Sequence, residues 1–282
     1  MPTGVTFPGP FCTMIVFPNC KINLGLHITR KRADGFHDLE TIFYPLPVTD
    51  ALEVISPGTL QFSRSGIAVP GNDNDNLCLK AYRLLQQDYP TLPPVNIHLH
   101  KNIPIGAGLG GGSADAAFML QLLNNKFQLS IPDEQLITYA AILGSDCPFF
   151  IRNTPCYATG RGELLTPITL DLGKYSFLLI HPGIHVNTGW AFSQITPRQP
   201  EQALLSSIQQ PVTAWKNLIY NDFEEVVAAA HPVLADIKSS MYANGALYAA
   251  MSGSGSAMVG IFPKNKIAGI LWDASYLVFK II

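Results

Sequence analysis

Ile103-Pro-Ile-Gly-Ala-Gly-Leu-Gly-Gly-Gly-Ser-Ala-Asp-Ala-Ala117 is the stretch whose reading decides the fold. Five glycines between positions 106 and 112 free the backbone of Cβ atoms, so it can pass through left-handed conformations and come close to a ligand. From Ser113 onward Ala114, Ala116, Ala117, Met119, Leu120 and Leu123 form the apolar stripe of a helix ending near Asn124-Asn125. Ahead of the glycines Val95, Ile97 and Leu99 alternate with Asn96, His98 and His100, the pattern of a half-buried strand. Strand, glycine loop and helix in that order bring unpaired N–H groups and the positive end of a helix to one point. That is an anion site.

The spacing Gly106, Gly108, Gly111 also satisfies the G-x-G-x-x-G dinucleotide fingerprint. Its context is poor, because the next acids, Asp133 and Glu134, follow Ser130-Ile-Pro as at a helix start, whereas the ribose-binding acid should end a strand. The P-loop pattern fails, since no lysine precedes Ser113. Nucleotide phosphates are the favoured ligand. A dinucleotide, another anion or a plain tight turn are the alternatives.

The chain of 282 residues is long enough for one large or two ordinary domains, and 48% apolar against 13% charged residues argues against disorder. Eighteen Lys+Arg against 20 Asp+Glu give no broad basic surface, so nucleic acid is not an expected partner. Any triphosphate has to be held by local geometry. The five cysteines, Cys12, Cys20, Cys78, Cys147 and Cys156, are scattered and form no C-x-x-C pair, which fits a reduced, cytoplasmic protein. No secretory leader and no membrane span of the required ~18 apolar residues is read, so no membrane partner is expected.

Working outward from the glycines, residues 1 to 11 read as an irregular lead-in, followed by a strand from Cys12 and a break at Pro18. Ile22, Leu24, Leu26 and Ile28 then alternate with Lys21, Asn23, Gly25 and His27. Lys21 and Asn23, two apart on one face, can converge on a ligand. Lys21 can equally be a solvated edge-strand lysine. Arg30 to Asp38 is a polar turn around Asp34-Gly35, and its cations either face phosphates or decorate a hairpin tip. Phe36-His37 offers an aromatic face and a neutral imidazole, a pairing suited to a planar base. Asp146 is the one carboxylate of the apolar run Gly144 to Ile151, so it needs a lysine, a metal or backbone donors, or else caps a helix.

Strands are expected at 39–46, 51–55, 175–180, 257–262 and 276–281, and helices at 77–85, 133–143, 203–208, 218–231, 233–242 and 266–272. Asn221-Asp222 could start a helix of its own. A polar stretch after His181-Pro-Gly suggests a boundary near residue 180 between two lobes, the second mainly helical in pattern. Ser252-Gly-Ser-Gly-Ser256 is a second small-residue loop through which one backbone can approach another, or a phosphate. Phosphoryl transfer would need a phosphate cradle, a cation on the transferring group and a base or orienter for a hydroxyl. The glycine loop, Lys21 and Asp146 supply the three, and Ser113 can offer a hydroxyl to Mg²⁺ or to a phosphate oxygen.

Four segments carry a family resemblance: Lys21-Ile-Asn-Leu-Gly-Leu-His27 with Arg32-Ala-Asp-Gly-Phe-His-Asp-Leu39; Pro104 to Ala117; Leu143-Gly-Ser-Asp-Cys-Pro-Phe-Phe150; and Met251-Ser-Gly-Ser-Gly-Ser256. In their order and spacing the chain resembles the galactokinase, homoserine kinase, mevalonate kinase and phosphomevalonate kinase superfamily. Within it the chain is similar to the branch acting on a cytidine diphosphate-linked methylerythritol. The resemblance implies a two-lobed α+β small-molecule kinase fold, an N-terminal α+β nucleotide-binding lobe, 1–180, and a C-terminal α+β lobe, 181–282, with ligands between the lobes, and ATP with Mg²⁺ as cofactors. It implies that Lys21 and Asp146 flank the accepting hydroxyl and that Asn23 supports them. Pro104, Ile105, Gly106, Ala107, Gly108, Leu109, Gly110, Gly111, Gly112, Ser113 and Ala114 would hold the ATP phosphates, Ser113 also as a metal ligand. His37 would read the cytosine edge, Phe36 would line its pocket where the family commonly has tyrosine, and Trp190 would cover the other face. Ala114 stands where the family often has a second serine, which leaves more to Ser113. The expected assembly is a monomer or weak homodimer.

Overall fold

The computed structural model describes residues 12–56, 59–69, 71–267, 269 and 271–282. The lead-in expected over residues 1 to 11 lies outside them. In chain order the elements are β1 (Cys12–Val16), β2 (Asn19–Lys31), β3 (His37–Thr49), β4 (Ala51–Ser56), β5 (Gln61–Gly66), α1 (Leu77–Asp88), β6 (Asn96–Lys101), α2 (Gly111–Phe127), α3 (Asp133–Leu143), α4 (Cys147–Arg152), β7 (Cys156–Thr159), β8 (Leu164–Pro167), β9 (Tyr175–His181), α5 (Thr188–Gln194), α6 (Leu204–Ile208), α7 (Trp215–Leu218), α8 (Asp222–Ala230), α9 (Val233–Ala243), β10 (Tyr248–Met251), β11 (Met258–Pro263) and β12 (Leu277–Ile281). They form an α+β fold of two compact units, each assembled from separate stretches of chain.

Of the described residues, the first unit takes those in 12–19, 48–103 and 111–152. Its sheet runs in the order β1-β4-β6-β5, antiparallel except for the β5–β6 pair. Leu52 and Val54 of β4 and Ile97 and Leu99 of β6 point inward and are buried, the alternation seen in the sequence. Helices α1, α3 and α4 pack on α2, which also lies against β1 and β4. That central position explains why α2 is buried on nearly every side, from Ala114 to Phe127. Asn76 starts α1 by accepting the Cys78 N–H at 2.9 Å. A mostly antiparallel sheet is not the parallel sheet that the dinucleotide fingerprint requires.

The second unit takes residues 20–47, 104–110 and 153–282 and holds two sheets, β2-β3-β7-β8 and β10-β11-β9-β12. The latter is antiparallel throughout, with β9 and β11 at its centre. One core joins Leu26 and Ile28 of β2 to Leu178 and Ile180 of β9 and to Phe223, Leu234 and Met241 of the helices α8 and α9. The expected sequential boundary at 180 differs from this division, since residue 180 lies within β9 of the second unit. The reason is physical: the central strand of a sheet cannot be shared out between two cores.

The helix expected over residues 218–231 is interrupted. Residues Trp215–Leu218 and Asp222–Ala230 are separate helices, with Asn221 accepting the Phe223 N–H at 3.0 Å as the cap of the second. Residues 266–272 are turn and irregular chain where described, a correction of the helix expected there. Ile267 is buried in the core while Leu271 is almost fully exposed.

Candidate active site

Lys21 sits in β2, a strand buried on both faces along residues 19 to 28, because β3 flanks it within its sheet and the core of the second unit lies on it. Its side chain is 3% exposed, which excludes a solvated edge lysine. Nζ donates to Asn23 Oδ1 at 2.7 Å and lies 4.7 Å from the centroid of the Phe43 ring. Asn23 Nδ2 donates to Thr41 Oγ1 at 2.9 Å, and Thr41 donates on to Gly25 O. This chain of donors fixes the Asn23 amide with its oxygen toward the amine.

The middle of the glycine loop, residues 104–110, belongs to the same unit and is latched to that strand. Gly106, Gly108 and Gly110 have φ of +65°, +78° and +70°, alternating with residues of negative φ. Such alternation turns successive N–H groups into one concavity, an anion-binding nest. The loop carbonyls turn the other way: Ala107 O accepts from Ala257 N at 3.1 Å, Gly108 O from Ser252 Oγ at 2.8 Å and Leu109 O from Lys21 N at 2.9 Å. Ala107 and Leu109 are buried as anchors. The close approach of the two small-residue loops is real: a Cβ on Gly108 would stand 2.0 Å from Ser252 O. Asn221 braces the second loop, its Nδ2 donating to Met251 O and Gly253 O at 2.8 Å each, while the Asn23 N–H donates to Ser252 Oγ at 3.1 Å.

Phe36 and His37 follow the Asp34-Gly35 turn in this unit. The two arginines of the turn are used in holding it: Arg30 donates to Asp38 at 2.7 Å, and Arg32 donates to Asp34 at 3.0 Å and to Asp38 at 3.2 Å. The Phe36 ring is about half exposed, with the Arg161 guanidinium 5.0 Å from its centroid. The ring that lies on His37 is that of Phe192, stacked at 5.0 Å and 18°. Trp190, on the same helix α5, is more than a third exposed. Sequence reading had singled out Trp190 and passed over Phe192. The available signal was only that the two aromatics stand three and five residues after the Asn187 cap, on one short helix. Burial, followed by the charge of Lys31, holds the His37 imidazole below its ordinary pKa, so the neutral ring persists in the neutral range.

Ser113 and Asp146 belong to the first unit, where Ser113 lies against the turn, Gly144 to Cys147, that carries Asp146. Gly144 lies between Ser113 and the turn into α4: a Cβ there would meet Cys147 Sγ at 3.3 Å and Ser113 Oγ at 4.0 Å. Asp146, half-buried, directly precedes α4, and Ser113 bonds the Cys147 thiol, whose pKa burial pushes up to about 11, leaving it an inert thiol. Ala114 is wholly buried, so it could serve a ligand only through its main chain. Gly112 is exposed, and a Cβ there would meet only a Leu77 methyl, at 3.9 Å. The residues expected to hold ligands therefore divide: Lys21, Asn23, Phe36, His37, Trp190 and loop residues 104 to 110 in one unit; Gly111, Gly112, Ser113, Ala114 and Asp146 in the other.

Comparison with known proteins shows the family. Residues 76–153 match the family described as GHMP kinases N terminal domain, and residues 203–273 match GHMP kinases C terminal. A 4-diphosphocytidyl-2-C-methyl-D-erythritol kinase of Bacteroides fragilis is 52% identical over 268 residues, covering 93% of this chain and 97% of the relative. One from Salinibacter ruber is 35% identical, covering 88% and 89%. A crystal structure of 4-(cytidine 5'-diphospho)-2C-methyl-D-erythritol kinase aligns with a TM-score of 0.76 at 31% identity, over 88% of this chain and 90% of that one. The mevalonate kinase of Methanococcus jannaschii, at 14% identity and a TM-score of 0.69 over 95% and 98%, shares the fold. No helix among the described residues is long and apolar enough to cross a membrane. With a buried amine beside a glycine nest, both superfamily domains matched in order, and half its residues identical to those of full-length relatives, the chain belongs to the 4-diphosphocytidyl-2-C-methyl-D-erythritol kinases of the GHMP kinase superfamily.

Proposed function

We propose that this chain transfers the γ-phosphoryl group of ATP to the 2-hydroxyl of 4-diphosphocytidyl-2-C-methyl-D-erythritol, a step of the non-mevalonate route to isoprenoid precursors. The observation that carries the reading is the latch between Lys21 N and Leu109 O, which ties the strand bearing a buried amine to an anion-binding nest. Catalysis of phosphoryl transfer is chiefly positioning and charge stabilisation, and these two features provide both.

In this reading the nest of residues 104–110 and the start of α2 at Gly111 to Ser113 take the ATP phosphates. The Lys21 ammonium, aimed by Asn23, stabilises the charge on the transferring group and lowers the proton affinity of the attacking hydroxyl. Asp146 orients that hydroxyl and accepts its proton, late if transfer is dissociative. Neutral His37 offers the cytosine edge a donor and an acceptor, beside the Phe36 ring. Phe192, already stacked on His37, fits the base platform better than Trp190 does. No group of three His, Cys, Asp or Glu side chains among the described residues could cage a metal. Mg²⁺ would therefore be carried mainly by the nucleotide phosphates, with the Ser113 hydroxyl as a ligand, and would neutralise charge there.

The test is a coupled ADP-release assay across a panel of alcohols that includes the cytidylyl compound, mevalonate and homoserine. Turnover should be selective for the cytidylyl compound. Asp146→Asn should fold and lose at least about 100-fold in kcat. Equal turnover with mevalonate, or a normal kcat in the variant, refutes the reading.

A further inference from the structure

Three ionisable side chains outside the proposed catalytic set are buried together in the first unit. Lys101 ends β6, Asp50 joins β3 to β4, and Asp115 lies in the second turn of α2; none is more than 3% exposed. Lys101 Nζ donates to the Asp50 carboxylate and to Asp115 Oδ2, the latter at 2.7 Å. The other Asp50 oxygen accepts the N–H groups of Asn102 at 2.6 Å and Ile103 at 2.9 Å. Asn102 and Ile103 are the last residues before the glycine loop, and Asp115 stands on the helix that leaves it. A Cβ on Gly111 would come within 3.3 Å of Lys101 Nζ, so the ammonium lies against the first residue of that helix. Removing one member of such a buried cluster strands the others without a partner.

We propose that Asp50, Lys101 and Asp115 are positioning residues for the nucleotide: a buried strut that fixes the chain entering the glycine loop against the helix leaving it, and so sets the shape that takes the ATP phosphates. The proposal rests on the reading of that loop as the phosphate holder. One cation between two carboxylates leaves an excess negative charge, and Asp115 Oδ1 has no partner among the described residues. Burial, outweighing the attraction of Lys101, raises the Asp115 pKa to about 7, and its bond to Asp50 gives a proton there an acceptor. Lys101 stays charged, because its two carboxylates outweigh its burial. Cys78 of α1 faces the same cluster, and burial followed by the Asp115 charge keeps its thiol protonated. The strut is thus balanced in charge while Asp115 is protonated and carries one excess negative charge once Asp115 is ionised.

The test is steady-state kinetics of the full chain at pH 8, where Asp115 is ionised, comparing wild type with Lys101→Met/Asp115→Asn. The double change removes one positive and one negative charge, so the charge of the cluster is kept while the tie is cut. KM for ATP should rise about tenfold, with KM for the alcohol within about twofold. A folded double variant whose KM for ATP stays within about twofold, or whose two KM values rise together, overturns the proposal. Hydrogen exchange on the wild type adds a measurement that needs no variant. The amides of Asn102 and Ile103 should be protected to the same degree as those of residues 116–118, and exchange more than about 100-fold faster overturns the strut. Failure of the kinase reading would show separately, as no ADP release by the wild type.

Discussion

At the scale of single residues, protonation decides what His37 can do. A neutral imidazole presents one donor and one acceptor to a base, whereas the imidazolium presents two donors. Because burial lowers its pKa, the useful form survives somewhat below the ordinary value of about 6.5. The sign follows: affinity for the cytidylyl substrate should be level through neutral pH and fall only as the pH drops through the lowered pKa. Steady-state kinetics of wild type and His37→Ala across pH 5 to 8 test this. The variant should raise KM for the cytidylyl substrate about tenfold, leave KM for ATP unchanged and lose the acid limb. A variant that keeps that limb, or that weakens ATP equally, would remove His37 from base reading.

Among elements, the glycine loop shows how differently neighbouring glycines are used. Gly108 has φ of +78° and backbone 2.0 Å from where a Cβ would stand, whereas at Gly112 the nearest atom is a Leu77 methyl at 3.9 Å. Left-handed backbone costs an L-residue roughly 1–2 kcal/mol, and the clash with Ser252 O adds to it, so Gly108→Ala must pull the two loops apart. It should lose most ATP affinity by calorimetry; an unchanged affinity would show that the loops do not need this contact. This element was legible in the sequence because its signal is local, strand alternation followed by glycines and an alanine-rich helix start. Strand β5, Gln61–Gly66, was not: an exposed edge strand of polar residues carries no alternation to read. Helix α4 has six residues, too few to show a period, and so appeared only as an apolar run around Asp146. The ion cluster was invisible for a different reason. Asp50, Lys101 and Asp115 meet through the pairing of β4 with β6 and the packing of α2, and no sequence spacing encodes that meeting. Phe192 escaped notice for want of a distinguishing pattern on a seven-residue helix.

Across the whole molecule, the order of segments along the chain is not the order of cores. Each compact unit draws on residues far apart in sequence, and the second takes β2 and β3 from near the start. A cut at the apparent lobe boundary would therefore remove more than a linker. A fragment of residues 181–282 keeps β10, β11 and β12 but loses β9, the strand that joins β11 to β12. It also loses Leu26, Ile28, Leu178 and Ile180 from the core onto which α8 and α9 pack. At roughly 25 cal/mol per Å² of apolar surface, four such side chains are worth several kcal/mol, comparable with the 5–15 kcal/mol that holds an ordinary domain together. The edges of β11 and β12 left bare would invite pairing with other copies. The isolated fragment should thus lack a cooperative thermal transition by circular dichroism and should aggregate at micromolar concentration. A soluble fragment that melts cooperatively would mean that the C-terminal third carries a core of its own, which the placement of β9 argues against.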